Sequence, residues 1–273
     1  MSDALPPRDF VVFDTETTGP PPGARLIEIG ALHVKGRNVV STFHALVDPE
    51  GPIPEESSRV HGLYDADLRG APTALEVLPR FLEWAGRRPL VAHNVAFDAR
   101  MLASECRRLG LPLPVNPALC TLQAARRILP RARSHALGAL VQELGLPEGR
   151  HHRAEEDAWH ALRLFWHLEQ VGGAAFRRNT LGPGRPVASY APEEVQLPPE
   201  RAILQEAAER GLSVDLDYAL PGRRLIPARV RPRFFYRRQA RLLMEAWCHE
   251  SGFYKTYRVD RVVRARLCPG LAP

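Results

Sequence analysis

The first residues able to do chemistry are two carboxylates two positions apart, Asp14 and Glu16, in Val11-Val12-Phe13-Asp14-Thr15-Glu16-Thr17-Thr18-Gly19. The apolar run reads as a buried strand, and the two-residue period of a strand sets Val12, Asp14 and Glu16 on one face. Like charges this close raise one another's pKa or cost stability, and a divalent cation is the simplest counter-charge. A strand end projecting into solvent is the alternative, and the pair alone does not decide between them. Three further candidates lie downstream: Asp98 closes His93-Asn94-Val95-Ala96-Phe97-Asp98, Asp157 closes His152-Arg153-Ala154-Glu155-Glu156-Asp157, and His152 precedes Asp157 by five residues. Taken singly, Asp98 reads as a first-turn acid favoured by the helix dipole, and His152 as a solvated loop histidine like its neighbour His151. Asp157 is different, because it falls on the inward stripe of a helix, where a carboxylate needs a partner.

The elements that must position these groups follow from periodicity. Leu26 to Val34 and Val39 to Val47 form a predicted hairpin around Lys35-Gly36-Arg37-Asn38. A Pro-rich loop, Asp48 to Glu56, leads to Val60-His61-Gly62-Leu63 and a helix whose apolar face carries Leu75, Leu78, Phe81 and Leu82. Leu90-Val91-Ala92 is a short buried strand, with His93 and Asn94 as caps for a helix running to about Leu109. A strand at Ala118 to Thr121 precedes helices near Leu122 to Leu129 and His135 to Leu144. The last helix of this half runs to about Gln170, with Ala154, Asp157, Ala161, Leu164 and Leu168 inward and Glu156, His160, Arg163 and His167 on the opposite, solvated face. Hairpin strands followed by strands alternating with helices predict an α/β class, a mixed sheet flanked by helices.

Composition bounds the rest. The 273 residues are 45% hydrophobic, and no apolar run approaches the ~18 residues that would span a bilayer. No membrane partner is expected, and the N-terminus lacks a charged-then-apolar leader pattern, so the expected location is the cytoplasm. Cys106, Cys120, Cys248 and Cys268 form no C-x-x-C pair, which argues against a zinc knuckle or a disulfide framework and reads as buried thiols. Lys35 and Lys255 are the only lysines among 37 basic residues. Residues 199–273 carry fourteen arginines and one lysine against eight acids, a net +7 in a chain of net +6, so residues 1–198 sum to −1. The excess charge in the last quarter implies a polyanionic partner there.

FDTETTG, HNVAFD and HRAEED, in this order and with these separations, together with the intervening RVHGL and HALGALVQELGLP, resemble the DEDDh group of 3′ to 5′ exonucleases. This is the DnaQ-like family that includes the proofreading epsilon subunit of bacterial DNA polymerase III. The likeness covers roughly residues 9 to 170, with no departure at Asp14, Glu16, Asp98, His152 or Asp157. It implies an RNase H-like mixed sheet and two divalent ions, Mg²⁺ or Mn²⁺, which prefer oxygen ligands and work about 3.5–4 Å apart on a phosphodiester. By the same resemblance Asp14 bridges both ions, Glu16 and Asp157 hold the one carrying the nucleophilic water, and Asp98 supports the second. His152 is the general base, a role that a near-neutral pKa suits. Thr17, Gly19, His61, Asn94 and Phe97 are the implied substrate contacts, with a turn role for His61 and a capping role for Asn94 left open. RNase H-type nucleases share such an acid-rich sheet; the His152 to Asp157 spacing favours the exonuclease.

Residues about 200 to 268 resemble the WYL domain, a small Sm-like β-barrel. The likeness rests on an opening helix at Glu200 to Arg210, the strand Val214 to Tyr218, Val230-Arg231-Pro232 and Tyr257-Arg258-Val259-Asp260-Arg261. Arg241-Leu242-Leu243 stands where the naming Trp-Tyr-Leu triplet would be. Eight arginines between Arg223 and Arg241 interleave with Phe234, Phe235 and Tyr236, which suits a single strand held by backbone neutralisation and base stacking. A barrel with aromatics in its core and arginines in solvent is the alternative. Arg231, Arg233, Arg237, Arg238 and Arg258 are the accessory nucleic-acid candidates, and a nucleotide-like ligand is left open.

The expected organisation is a flexible N-terminus at 1–8, an exonuclease domain at 9–172, a Gly/Pro/Arg-rich linker at 173–198 and a basic accessory domain at 199–273. The expected activity is hydrolysis of single-stranded or frayed DNA from a 3′ end to 5′-mononucleotides, in proofreading or repair, with a DNA polymerase as an open partner. An exoribonuclease and a non-catalytic nucleic-acid-binding regulator are the competing readings; the sequence shows no contact to the 2′-hydroxyl that separates RNA from DNA.

Overall fold

The computed structural model describes residues 8–147, 153–176, 183–222 and 224–268. The chain divides into two compact units, one of residues 1–49 and 53–191, the other of residues 50–52 and 192–273.

The first unit is built on a six-stranded sheet. Its strands are β1 (Asp9–Thr17), β2 (Leu26–Lys35), β3 (Asn38–Leu46), β4 (Leu90–Ala92), β5 (Pro117–Cys120) and β6 (Arg185–Pro186), in the order β3-β2-β1-β4-β5-β6. β1 pairs antiparallel with β2 and parallel with β4, which gives the mixed sheet of the RNase H-like class. Alternation along β1 divides the core in two. Val11 and Phe13 pack with α2 (Ala74–Ala85) and α3 (Ala96–Arg108), while Phe10 and Val12 pack with α6 (Ala154–Ala175). Asp14 and Glu16 continue the Phe10 and Val12 side, so the acids and α6 share one side of the sheet. The helices α1 (Glu55–His61), α4 (Thr121–Ile128) and α5 (Leu137–Glu143) complete the unit.

Most predicted elements of this unit lie within a residue or two of their expected bounds; α6 runs on to Ala175, past the expected end at about Gln170, and the other departures concern side chains and the linker. Leu75, expected on the apolar face of α2, is 53% exposed, while Val77, Leu78 and Phe81 are fully buried. Asn94 does not cap α3: the N-cap is Val95, without a side-chain cap bond, and Asn94 is exposed at φ 61. His160, expected in solvent, is fully buried. It follows Asp157 by three residues and precedes Leu164 by four, and both intervals keep it on the inward stripe. Part of the expected linker belongs to the first unit. β6 pairs antiparallel with β5, a 3₁₀ turn follows at Val187–Tyr190, and Val187 is fully buried in the same core as α2 and α3. Proline is tolerated at such an edge, where its missing N–H leaves no ladder bond unmade.

The second unit has α7 (Ala202–Glu209) and five antiparallel strands: β7 (Ser213–Ala219), β8 (Leu225–Arg238), β9 (Arg241–Cys248), β10 (Phe253–Arg258) and β11 (Val262–Cys268), in the order β10-β9-β8-β7-β11. β8, fourteen residues long, carries the arginine and aromatic segment. Phe234, Phe235 and Tyr236 are 5%, 9% and 3% exposed; Phe235 packs in the core of this unit, while Phe234 and Tyr236 stack on one another with ring centroids 5.6 Å apart. Cys106, Cys120 and Cys248 are buried as expected, whereas Cys268 is half-exposed. Among the described residues no helix is long and apolar enough to cross a membrane.

Candidate active site

Three of the predicted acids meet. Asp14 and Glu16 from β1 and Asp157 from the first turn of α6 each offer a carboxylate oxygen, and the three oxygens lie within 4.8 Å of one another. Asp14 and Glu16 stay partly accessible, while Asp157 is 9% exposed. Asp98 comes to the strand end from α3, on the other side of the sheet. It is 3% exposed, and its Oδ1 accepts the backbone N–H of Thr15 at 3.0 Å and the Thr15 hydroxyl at 2.8 Å. Thr15, between the two β1 acids and pointing the opposite way, therefore fixes the fourth.

The electrostatics are those of carboxylates waiting for a cation. Burial, followed by the charges of Asp98, Glu16, Asp157 and Glu28, holds the Asp14 carboxyl well above the usual range. Burial and then Asp157 and Glu28 push Glu16 up to about 8. Burial raises Asp98 to about 7 even though the Thr15 hydrogen bonds pull the other way. Converging oxygen donors with this much unrelieved repulsion fit a hard divalent ion. Asp14, Glu16 and Asp157 are placed to hold it, with Asp98 beside them.

The remaining sequence candidates divide. His152 lies outside the described residues. The Thr17 hydroxyl donates to the Gly19 carbonyl at 2.8 Å, which shapes the exit from β1. His61 is 5% exposed and its Nδ1 accepts the Leu63 N–H at 3.0 Å, so it is built into the turn after α1. Phe97 is half-buried in the first turn of α3. His93 bridges the Thr121 hydroxyl at 3.0 Å and the His135 carbonyl at 2.9 Å, tying the end of β4 to two later segments. In the second unit, Arg233 is engaged by Glu245 at 2.7 Å and Glu50 at 3.1 Å and lies over the Tyr254 ring at 3.4 Å. Arg258 pairs with Asp260. Arg237 and Arg238 are exposed, and Arg231 is partly so.

Sequence reasoning missed Thr15, Glu28, Gly30, Arg153 and His160. The His160 Nδ1 lies 3.2 Å from Asp157 Oδ1. Glu28 is 1% exposed and bonded to Arg153, His44 and the Ala154 N–H. The signal for Glu28 was available: an acid inside an otherwise apolar strand, at Leu26-Ile27-Glu28-Ile29.

The profile of the exonuclease family matches residues 11–165, and that of the WYL domain matches residues 201–267. Over 165 residues the chain is 37% identical to the PolC-type DNA polymerase III of Caldanaerobacter subterraneus subsp. tengcongensis, covering 60% of this chain and 12% of that relative's length. Exonuclease X, solved in complex with 5′ overhanging duplex DNA, superposes with a TM-score of 0.50 at 27% identity over 62% of this chain and 99% of that one. The nuclease domain of 3′hExo, a DEDDh family member bound to rAMP, gives 0.55 at 19% identity over 64% and 97%, a likeness of fold. A mixed sheet with converging acids at the end of its central strand defines a nuclease of the RNase H-like fold. The chain belongs to the DnaQ-like exonuclease family and carries a WYL domain after its exonuclease domain.

Proposed function

We propose that this chain is a divalent-metal-dependent exonuclease that removes nucleotides from the 3′ end of single-stranded or frayed DNA, releasing 5′-mononucleotides. The observation that carries the reading is the convergence of Asp14, Glu16 and Asp157 within 4.8 Å, with Asp98 fixed alongside by Thr15. When bound, Mg²⁺ or Mn²⁺ supplies an activated water and charge stabilisation at the phosphate. The chain's own part is to keep the Asp14, Glu16 and Asp157 carboxyls converging, to hold Asp98 through Thr15 and to move the proton. His152, five residues before Asp157 in sequence, is the proposed general base, since an imidazole titrates in the right range. Support for DNA comes from the PolC-type polymerase relative and from Exonuclease X, solved with duplex DNA. The chain spans 12% of that polymerase relative, so proofreading and partnership with a polymerase belong to this proposal too. In the second unit the exposed Arg237 and Arg238 and the partly exposed Arg231 are the proposed phosphate contacts, with Arg233 and Arg258 set aside because acids already hold them.

The test is a 5′-labelled single strand, as DNA and as RNA, incubated with Mg²⁺, Mn²⁺ or EDTA. Expected is a metal-dependent ladder shortening from the 3′ end, faster on DNA, that EDTA abolishes. His152→Ala is expected to keep metal binding and lose most of the rate. Faster cutting of RNA would replace the substrate class, and binding without cleavage in either metal would replace the enzyme with a binding protein.

A further inference from the structure

Glu28 lies on β2 opposite Glu16 in the antiparallel ladder, in a place where another carboxylate only adds to the repulsion, yet it is 1% exposed. Its surroundings explain why it is tolerated. Oε1 accepts Nη2 of Arg153 at 2.7 Å and lies 2.8 Å from the His44 Nε2. Oε2 accepts Nε of Arg153 and the backbone N–H of Ala154, each at 3.1 Å. Arg153 is the N-cap residue of α6 and Ala154 its first residue. The acid therefore satisfies one of the helix's open N–H groups and puts negative charge at the positive end of its dipole. A second clamp lies two residues along the same strand. A Cβ on Gly30 would come within 2.2 Å of the Glu155 nitrogen and 2.4 Å of the Ala154 carbonyl carbon, so glycine alone lets the helix start rest on the strand. Within that first turn the Asp157 N–H donates to the Arg153 carbonyl at 2.9 Å.

We infer that Glu28 is a positioning residue for the nuclease site: through Arg153 and Ala154 it fixes the first turn of α6, and so the place of Asp157 against Asp14 and Glu16. It touches no reacting atom. The inference rests on the metal-dependent reading of that site, and it makes a prediction that simple charge does not. Removing the Glu28 charge weakens cation binding on electrostatic grounds alone, and removing the Arg153 charge strengthens it. Loss of position weakens binding in both cases.

The experiment compares the full chain with Glu28→Ala, Glu28→Gln, Arg153→Ala, the double variant Glu28→Ala/Arg153→Ala, and Arg37→Ala. The last breaks the Arg37 to Glu169 pair, 3.0 Å, near the other end of α6. Mn²⁺ binding is read by calorimetry without substrate, kcat and KM are read separately on a single-stranded oligonucleotide, and the thermal midpoint is recorded. Glu28→Ala and Arg153→Ala are each expected to weaken Mn²⁺ binding about 10–100-fold, as loss of outer partners does at metal sites. They should lower kcat with little change in KM. Glu28→Gln should recover part of the loss, and the double variant should be no worse than the worse single. Arg37→Ala should keep parental binding and rate. Parental or tighter Mn²⁺ binding by a folded Arg153→Ala protein overturns the inference, as does additive loss in the double variant. If Glu28→Ala does not fold, the partly exposed Arg153 decides by itself. A parent that binds Mn²⁺ but cuts no oligonucleotide would overturn the nuclease reading and leave the clamp to be judged on binding alone.

Discussion

At the residue scale, four acids at one strand end are a liability without a cation and an asset with one. Asp14→Asn is expected to lower the exonuclease rate on the order of 10³-fold, about 4 kcal/mol of transition-state stabilisation. It should also raise the unfolding midpoint of the metal-free protein, because it removes one member of a mutually repelling set. Mn²⁺ should raise the parent's midpoint, as any ligand of the folded state does, and should raise that of Asp14→Asn much less; thermal melts with and without metal check both signs. Asp14, Glu16 and Asp157 were legible in the sequence because strand and helix periodicities set their directions. Thr15, which holds Asp98 by its N–H and hydroxyl, was not, because a threonine between two acids reads only as a good strand former. His160 was misread because the helical intervals from Asp157 and to Leu164 were not followed through it.

At the element scale, the site depends on how α6 and α3 are seated. Gly30→Ala should push the first turn of α6 off β2, costing about 1–3 kcal/mol as overpacking does, and the activity loss should exceed the stability loss. Denaturant midpoints and kcat on one sample separate the two. α3 is seated by Glu105, fully buried between Arg25 at 3.2 Å and Arg108 at 2.8 Å, with the Leu26 N–H at 2.9 Å. Burial alone would raise this carboxyl, but Arg108, Arg25 and the Leu26 N–H outweigh it and bring it down to about 2 from an ordinary 4.5. Between those values the unfolded chain binds the extra proton, so this stabilisation is complete above about 4.5 and is lost as the pH falls towards about 2. Glu105→Ala should cost about 3–5 kcal/mol at neutral pH, as breaking a buried pair does. The gap from the parent in urea titrations should narrow as the pH falls towards 2. The Glu105 to Arg108 pair has the three-residue spacing of one helix face, but Arg25 and Glu105 lie eighty positions apart and only the folded sheet brings them together.

At the scale of the whole molecule, charge is partitioned: residues 199–273 carry the excess positive charge, net +7, and residues 1–198 sum to −1. Exposed Arg237 and Arg238 lie at the end of β8, where Arg238 faces Arg241 across the ladder. Arg237→Ala/Arg238→Ala should weaken single-strand binding and flatten its salt dependence by about 0.7 per lost phosphate contact, with kcat on short oligonucleotides unchanged. Filter binding at several salt concentrations checks it. The first compact unit runs through residue 191. A Gly/Pro/Arg-rich stretch reads as spacer, and only pairing reveals β6 and buried Val187. That small strand has a practical consequence. A nuclease fragment ended at residue 172 would leave the outer rim of β5 with unmet backbone groups and its neighbouring apolar surface bare, a template for self-association. Ended at 191, the fragment keeps Pro186 as a stopper on that rim and should stay monodisperse in size-exclusion chromatography.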